Sequence, residues 1–271
     1  MVLFPNCKIN LGLNITCKRT DGYHNLETVF YPIPLTDALE AIEATSFHFT
    51  VTGLSIIGSA HDNLCLKAWH LLKKDFPDLS AIHIHLHKAI PIGAGMGGGS
   101  SDGAFMLLLL NKKFNLQLSE AQLVDYALQL GSDCPFFIYN KPVFATGRGE
   151  QMVPVNIDLS GYKFVVVNPC IHISTREAFA ALTPSIPAKR INTIISQPIN
   201  TWKEELVNDF EQPLFIKYPA ITAVKAALYS AGATYAAMTG SGSTVFGIFD
   251  KSVDVQLSFP DNYLQYQLPT L

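Results

Sequence analysis

Residues 91–101 contain five glycines within seven positions, and this glycine-rich loop constrains the fold more than any other feature of the sequence. Glycine carries no Cβ, so the backbone is uncovered and successive N–H groups can point at one anion. Residues 81–89 before the loop alternate apolar and polar side chains, as a strand does, and residues 101–111 after it are apolar helix formers. A helix N-terminus adds its dipole and its unpaired N–H groups to the attraction for an anion. We therefore predict a phosphate site between a strand and a buried helix.

Two known nucleotide motifs and a plain linker are alternative interpretations of this loop. Gly93, Gly95 and Gly98 match the dinucleotide fingerprint G-x-G-x-x-G, but that fingerprint also needs an acidic residue about twenty positions further on, at the end of a strand. Residues 118–122 have instead the pattern of a helix start. A P-loop needs Lys-Ser or Lys-Thr after the last glycine, and no such pair is present there. A flexible linker fits neither flanking element, so phosphate binding without a P-loop is the interpretation we keep.

The rest of the chain mixes strands and helices in an order that predicts an α+β fold. Residues 5–15 alternate strictly and predict a strand whose polar face carries Lys8 and Asn10. A turn at 20–23 is predicted to lead into a strand at 26–34. Further helices are predicted at 63–74, 119–131 and 221–230, and further strands at 163–167 and on both sides of a Gly-Ser-Gly turn within 235–249. Residues 184–197 are predicted to be a loop-rich connection, and a domain boundary is predicted near 150–160.

Composition argues against several classes of function. With 48% apolar and 15% charged residues the chain is globular, and a net charge of −3 without a basic stretch argues against a nucleic-acid partner. The longest apolar run, 105–110, is too short to span a membrane, and the first ten residues lack a secretory layout, so we expect a cytoplasmic protein. The five cysteines form no CxxC pair and are expected to be reduced.

His83, His85 and His87 alternate along one predicted strand and suggest a metal site at first sight. Alternate residues of a strand are roughly 7 Å apart, which is too far for all three to share one zinc ion. We therefore predict that these histidines form a solvated face.

Residues 91–102 resemble the phosphate-binding motif of the GHMP kinases, the superfamily of galacto-, homoserine, mevalonate and phosphomevalonate kinases. Five further segments resemble one branch of that superfamily, which phosphorylates a methylerythritol linked to cytidine diphosphate, and they follow the same order along the chain. These segments are PNCKINLGL at 5–13, KRTDGYH at 18–24, GSDCPFF at 131–137, GRGE at 147–150 and MTGSGST at 238–244. The glycine motif is common to the superfamily, whereas DGYH at 21–24 singles out this branch.

The resemblance implies a two-domain GHMP-kinase architecture within the α+β class. It implies an N-terminal S5-like α/β domain at 1–155 that binds ATP, a C-terminal ferredoxin-like α+β domain at 156–271, and an active site in the cleft between them. It also implies an ATP-dependent kinase, with Mg²⁺ as the second cofactor, that phosphorylates the 2-hydroxyl of the cytidine diphosphate-linked methylerythritol. That reaction is a step in the non-mevalonate route to isoprenoid precursors. The protein is expected to be a monomer or homodimer with no nucleic-acid or membrane partner.

Two alternatives remain open at this stage. One is another GHMP small-molecule kinase, of the mevalonate or homoserine type. The other is a nucleotide-binding relative that has lost catalysis. The segment DGYH argues against the first, and the presence of both Lys8 and Asp133 argues against the second.

The resemblance also implies which residues form the site. Lys8 and Asp133 match the catalytic pair of the family, and a nearby ammonium would keep a carboxylate ionised and stabilise a transferring phosphoryl group. Asp133 is expected to lie on a rigid, non-helical corner between Gly131 and Pro135. The residues expected to bind ATP are Pro91, Ile92, Gly93, Ala94, Gly95, Met96, Gly97, Gly98, Gly99, Ser100 and Ser101.

The cytidyl substrate is expected to contact a second set of residues. Aromatic rings can stack on cytosine while a polar neighbour reads its edge, which are the roles implied for Tyr23 and His24. Phe179 is expected to close the other side of the base. The full set is Asn10, Tyr23, His24, Thr175, Phe179, Gly240 and Ser241. No metal ligand is assigned from the sequence.

Overall fold

The computed structural model describes residues 1–56 and 60–270. The strands are β1 (Val2–Leu3), β2 (Asn6–Lys18), β3 (His24–Thr36), β4 (Ala38–Glu43), β5 (His48–Gly53), β6 (Ile82–Lys88), β7 (Val143–Thr146), β8 (Gln151–Pro154), β9 (Tyr162–Asn168), β10 (Tyr235–Met238), β11 (Val245–Asp250) and β12 (Leu264–Pro269). The helices are α1 (Leu64–Asp75), α2 (Gly98–Lys113), α3 (Glu120–Leu130), α4 (Cys134–Tyr139), α5 (Thr175–Ala180), α6 (Ile191–Ile195), α7 (Trp202–Glu205), α8 (Glu211–Lys217) and α9 (Pro219–Ser230). Short 3₁₀ turns occur at Ala60–Asp62 and Ile199–Thr201.

Two compact units divide the chain, and neither is continuous in sequence. The first unit comprises Met1–Cys7, Leu35–Ile92 and Gly97–Lys141. The second unit comprises Lys8–Pro34, Gly93–Met96 and Pro142–Leu271. The glycine-rich loop therefore contributes residues to both units.

The first unit contains a four-stranded sheet in the order β1-β4-β6-β5. Strand β4 is antiparallel to β1 and β6, whereas β5 is parallel to β6. Ile82, Ile84 and Leu86 of β6 are fully buried, which explains why this alternating segment forms a strand. Helix α2 packs against α1, α3 and α4, and most of its residues are buried, as predicted for the helix after the loop.

The second unit contains most of two further sheets, in the orders β2-β3-β7-β8 and β10-β11-β9-β12. Strand β7 is antiparallel to β3 and β8, and β9 is antiparallel to β11 and β12. Helix α9 packs on β10 and β11 and buries Ile221, Val224 and Leu228 at helical spacing. Within the described residues, no helix is long and apolar enough to cross a membrane.

Most of the predicted elements are confirmed, and capping residues explain where helices α1 and α3 begin. Asn63 caps α1, because its side chain accepts a hydrogen bond from the Cys65 N–H at 2.9 Å. Ser119 and Gln122 form the predicted capping box of α3, which ends before Gly131. Strand β2 begins at Asn6, one residue into the alternating segment 5–15, and continues to Lys18.

Three predictions need correction. Residues 184–197 are not loop throughout, because Ile191, Ile194 and Ile195 lie on one buried face and form α6. Asp133 is not on a non-helical corner: its φ of −85° and ψ of −15° are helical, and it directly precedes α4, whose first turn accommodates Pro135. No strand is predicted after residue 249, yet β12 completes a sheet by pairing with β9.

Candidate active site

The middle of the glycine-rich loop, Gly93–Met96, packs within the second unit against the turn between β10 and β11. The Thr239 hydroxyl donates a hydrogen bond to the Gly95 carbonyl oxygen at 3.1 Å. A Cβ on Gly95 would lie 2.0 Å from the Thr239 carbonyl oxygen, and the φ of Gly95 is +81°. A Cβ on Gly240 would lie 2.9 Å from the Gly95 Cα. The two glycine turns therefore approach so closely that both need glycine.

Strand β2 carries Lys8 and Asn10 to the same part of the second unit. The backbone N–H of Lys8 donates to the Met96 carbonyl oxygen at 3.0 Å, and the backbone N–H of Asn10 donates to the Thr239 hydroxyl at 3.0 Å. The Lys8 ammonium donates to Asn10 Oδ1 at 2.6 Å and lies 4.7 Å from the centroid of the Phe30 ring. An amide oxygen and a ring face thus stabilise the charge of a side chain that is only 4% exposed.

The end of the loop begins helix α2 in the first unit. Gly97 precedes the helix in the left-handed conformation, with a φ of 69°. The buried Ser101 hydroxyl donates to the Asn6 carbonyl oxygen at 2.6 Å and ties the first turn of α2 to the N-terminal segment. The first N–H groups of a helix have no intrahelical acceptor, so the start of this 16-residue helix is suited to hold an anion.

Asp133 lies in the first unit, between α3 and α4. The next residue, Cys134, is fully buried, and its thiol is hydrogen-bonded to Ser100. Burial raises the pKa of Cys134 to about 12 against the opposing effect of that hydrogen bond, so the thiol is protonated near neutral pH. The contact between Cys134 and Ser100 brings the segment of Asp133 next to the last residues of the loop.

Aromatic side chains of the second unit form a surface that suits a nucleobase. The rings of His24 and Phe179 are stacked, with centroids 4.7 Å apart and planes at 22°. Tyr23 is 57% exposed, and the guanidinium carbon of Arg148 lies 5.1 Å from the centroid of its ring. Thr175 is the first residue of α5, the helix that also carries Phe179. The exposed Tyr23 ring can take a base by stacking, whereas His24 and Phe179 lie too close together for a base to fit between them.

Asn208 supports the turn that contains Gly240 and Ser241, and sequence reasoning missed this residue. Its side-chain Nδ2 donates to the Met238 carbonyl oxygen at 2.7 Å and to the Gly240 carbonyl oxygen at 2.9 Å. Asn208 lies in the short connection between α7 and α8, where no motif signals its role. Thr239 was also missed, although its place immediately before the Gly-Ser-Gly turn could have suggested a contact with the glycine-rich loop.

The structure brings the predicted site residues together in one group per unit. The second unit connects Lys8, Asn10, Gly95, Met96 and Gly240 through Thr239 and backbone hydrogen bonds, and it holds the stacked pair His24 and Phe179. The first unit holds Pro91, Ile92, Gly97, Gly98, Gly99, Ser100, Ser101 and Asp133. Because Lys8 and Asp133 belong to different units, their pairing stays a prediction.

The alternating histidines of β6 contact threonines of the neighbouring strand β5. His83 Nε2 lies 3.0 Å from the Thr50 hydroxyl, and His85 Nε2 lies 2.9 Å from the Thr52 hydroxyl. His87 is exposed, and the other two are partly exposed, so the predicted solvated face is confirmed. In the part of the chain that the structure describes, no group of three or more His, Cys, Asp or Glu residues could hold a metal ion.

Two family models match the chain. Residues 63–141 match the GHMP kinases N-terminal domain, and residues 194–259 match the GHMP kinases C-terminal domain.

Curated relatives match nearly the whole chain. A protein of Bacteroides fragilis named 4-diphosphocytidyl-2-C-methyl-D-erythritol kinase is 53% identical over 253 residues, which is 92% of each chain. A protein of the same name from Bacteroides thetaiotaomicron is 54% identical over 92% of each chain. One from Chlorobium limicola is 39% identical over 91% of this chain and 88% of its own.

Solved structures agree with these relatives. A crystal structure of a 4-(cytidine 5'-diphospho)-2C-methyl-D-erythritol kinase superposes with a TM-score of 0.79 at 31% identity, over 92% of this chain and 90% of its own. The mevalonate kinase of Methanococcus jannaschii superposes with a TM-score of 0.72 at 13% identity, over 100% of this chain and 98% of its own. The second likeness shows a shared fold alone.

Proposed function

The chain belongs to the 4-diphosphocytidyl-2-C-methyl-D-erythritol kinases of the GHMP kinase superfamily, and from this premise we propose that it transfers the γ-phosphoryl group of ATP to the 2-hydroxyl of 4-diphosphocytidyl-2-C-methyl-D-erythritol. The observation that carries the proposal is 53% identity over 92% of both chains to a curated kinase of that name. The predicted kinase activity and the predicted GHMP fold, with its N-terminal and C-terminal domains, are confirmed with the family. The boundary between residues 155 and 156 stays a prediction.

The glycine-rich loop is the part of the chain that suits the phosphates of ATP. Its middle is held by hydrogen bonds to β2 and to the turn after β10, and its end supplies the N-terminus of α2. Phosphoryl transfer mainly requires that the protein position the reactants and stabilise charge on the transferring group. Backbone N–H groups that are already fixed in place meet this need without reorganising during the reaction.

Lys8 and Asp133 are proposed as the catalytic pair. The substrate hydroxyl oxygen attacks the γ-phosphorus and gives its proton to the Asp133 carboxylate, while the bond from the γ-phosphorus to the bridging oxygen breaks and ADP leaves. The buried Lys8 ammonium stabilises negative charge on the transferring phosphoryl group and favours the ionised form of a carboxylate near it.

The aromatic residues of the second unit are proposed to recognise the cytidine end of the substrate. The exposed Tyr23 ring offers a face for the cytosine base, and the stacked pair His24 and Phe179 is proposed to contact the base with its outer faces. Asn10, Thr175, Gly240 and Ser241 are proposed to contact the same substrate with their polar groups. A site built to pair with a base discriminates strongly against substrates that lack one.

Mg²⁺ is proposed to enter with ATP, since two of its common partners in kinases are the nucleotide's own phosphate oxygens. Mg²⁺ bound with ATP would supply neutralisation of phosphate charge. No residue of this chain is assigned to it. A cytoplasmic location, a monomeric or homodimeric state and the absence of a nucleic-acid partner stay predictions.

A coupled assay of ADP release tests the proposed substrate. We expect turnover with 4-diphosphocytidyl-2-C-methyl-D-erythritol and none above background with mevalonate or homoserine, because neither carries a base for Tyr23 and His24. CDP is expected to compete with the substrate for the same reason. Turnover with mevalonate or homoserine alone would favour the sibling kinases, absence of turnover with every alcohol would favour the inactive relative, and a lack of competition by CDP would remove the base-recognition proposal.

A further inference from the structure

Three buried ionisable side chains of the first unit form a cluster beside the start of α2 that the proposed reaction does not use. Lys88, the last residue of β6, donates from its ammonium to Asp37 Oδ2 and, at 2.7 Å, to Asp102 Oδ2. The side chains of Lys88 and Asp37 are fully buried, and that of Asp102 is 3% exposed. Burying ionisable groups is costly unless they are paired, and a buried pair is weak evidence for added stability, so this cluster suggests a role other than stability.

The cluster touches both ends of the glycine-rich loop. Asp37 Oδ1 accepts hydrogen bonds from the backbone N–H groups of Ala89 and Ile90, which lead from β6 into the loop, at 2.6 and 2.9 Å. Asp102 lies one turn into α2, the helix that leaves the loop. Lys88 connects the two carboxylates, so one chain of hydrogen bonds runs from the entry of the loop to its exit.

Gly98, the first residue of α2, lies close to Lys88 of this cluster. A Cβ on Gly98 would lie 2.8 Å from Ile90 Cγ2 and 3.5 Å from Lys88 Nζ. The first turn of the helix therefore has little freedom to move toward β6, and the hydrogen bond from Lys88 to Asp102 opposes movement away from it. The separation of the two loop ends is fixed in both directions.

The charge of the cluster also affects how strongly an anion binds at the N-terminus of α2. Burial, acting against the nearby Lys88 ammonium and reinforced by Asp37, raises the pKa of Asp102 to about 8. Within residues 1–56 and 60–270, the buried Cys65 thiol of α1 also faces the cluster, and burial raises its pKa as well. Near neutral pH Asp102 therefore holds a proton and the cluster as a whole is close to neutral, so it does not repel phosphate. Asp102 Oδ1, which is buried, has no hydrogen-bond partner among the described residues.

We propose that Asp37, Lys88 and Asp102 are positioning residues, which hold the end of β6 and the start of α2 at the separation that lets the glycine-rich loop bind the phosphates of ATP. This inference rests on the proposed function, because it assumes that ATP binds at the loop. It extends that function to three buried side chains outside the residues proposed to bind ATP.

Asp102→Ala tests the proposal, because it removes one end of the connection while Lys88 keeps Asp37 as its partner. We expect KM for ATP to rise about tenfold, and KM for the cytidyl substrate to stay within about twofold, since small displacements of a positioned group have large effects at the site they support. Asp102→Asn retains an oxygen for the Lys88 ammonium and imitates the protonated acid, and we expect it to restore a KM for ATP near that of the wild type. If Asp102→Ala does not fold, Lys88→Arg keeps the charge but changes the spacing, and it is expected to raise KM for ATP in the same way.

Leu123→Ala is the matched control for lost stability. Leu123 is a buried residue of α3 in the same unit, so its truncation leaves a cavity without changing the charged cluster. We expect a lower Tm and an unchanged KM for ATP. If Leu123→Ala raises KM for ATP as much as Asp102→Ala does, or if neither Asp102→Ala nor Lys88→Arg changes it, the proposal is wrong.

Calorimetric titration with ATP separates failure of this inference from failure of the proposed function. Weaker ATP binding by Asp102→Ala in a protein that does not phosphorylate the cytidyl substrate would support the positioning role and contradict the proposed substrate. Equal ATP binding by wild type and Asp102→Ala in an active kinase would contradict the positioning role alone. Absence of ATP binding by the wild type would contradict both.

Discussion

Two polar side chains that matter to the account, Lys8 and Asp102, are buried. The Lys8 ammonium donates a hydrogen bond to Asn10 and lies over the Phe30 ring, and burial raises the pKa of Asp102 to about 8. From the sequence, Lys8 is correctly assigned to the polar face of a strand. The sequence could not predict that this face is buried, because the groups that cover it come from distant parts of the chain, such as Thr239.

Asp102 predicts a pH dependence of stability. Its native pKa of about 8 lies above its ordinary value near 4, so between these values the native protein holds a proton that the unfolded chain has released. The free energy of unfolding should therefore fall as pH rises through this window and level off above it. Urea denaturation at about pH 5 and about pH 8 measures this fall, and Asp102→Asn, which cannot ionise, should reduce it. Equal pH dependence in the two proteins would contradict the shifted pKa.

At the scale of elements, the close contact between two glycine turns organises the candidate site. The glycine-rich loop and the turn after β10 meet at Gly95 and Gly240, and no local pattern in either segment reveals the other. Each turn alone is predictable because glycine marks it. Their contact is a property of the second unit, in which Gly93–Met96 packs with residues that follow it by more than a hundred positions.

Gly95→Ala tests this contact. The new Cβ would lie 2.0 Å from the Thr239 carbonyl oxygen, and a φ of +81° is unfavourable for alanine, so the two turns must separate. We expect kcat/KM for ATP to fall by at least about tenfold, with a lower Tm. Gly161→Ala is the control, because a Cβ there meets no atom within 4 Å and its φ is not left-handed. Wild-type kcat/KM in Gly95→Ala would show that the contact has no part in binding ATP.

The two elements that the sequence did not predict, α6 and β12, both depend on tertiary contacts. Helix α6 has only five residues, too few for a periodic pattern to stand out between prolines, and it forms because tertiary packing buries Ile191, Ile194 and Ile195. Strand β12 depends on pairing with β9 rather than on strong local preference.

Gly103 lies within α2, where glycine alone would weaken the helix. Close packing explains it, because a Cβ at this position would lie 2.7 Å from the Leu64 Cβ.

At the scale of the whole molecule, the sequence predicted the α+β class and the GHMP kinase family, and both hold. The order of strands and helices and a series of motifs from residue 5 to about 250 were sufficient for this. How the chain divides into compact units is less accessible, since Lys8–Pro34 and Gly93–Met96 join residues after 141 in the second unit. Such divisions depend on long-range pairing, which neither composition nor periodicity encodes.

The central claim is that Lys8 and Asp133 carry phosphoryl transfer to the cytidyl substrate, and ADP production by single variants tests it most directly. With 4-diphosphocytidyl-2-C-methyl-D-erythritol and ATP, we expect Lys8→Ala and Asp133→Ala each to lower kcat by at least about a hundredfold, because one loses charge stabilisation and the other the proton acceptor. Lys112→Ala and Asp125→Ala, which change exposed residues of α2 and α3, should keep wild-type turnover. Near-full turnover by either Lys8→Ala or Asp133→Ala, with folding unchanged, would contradict the account.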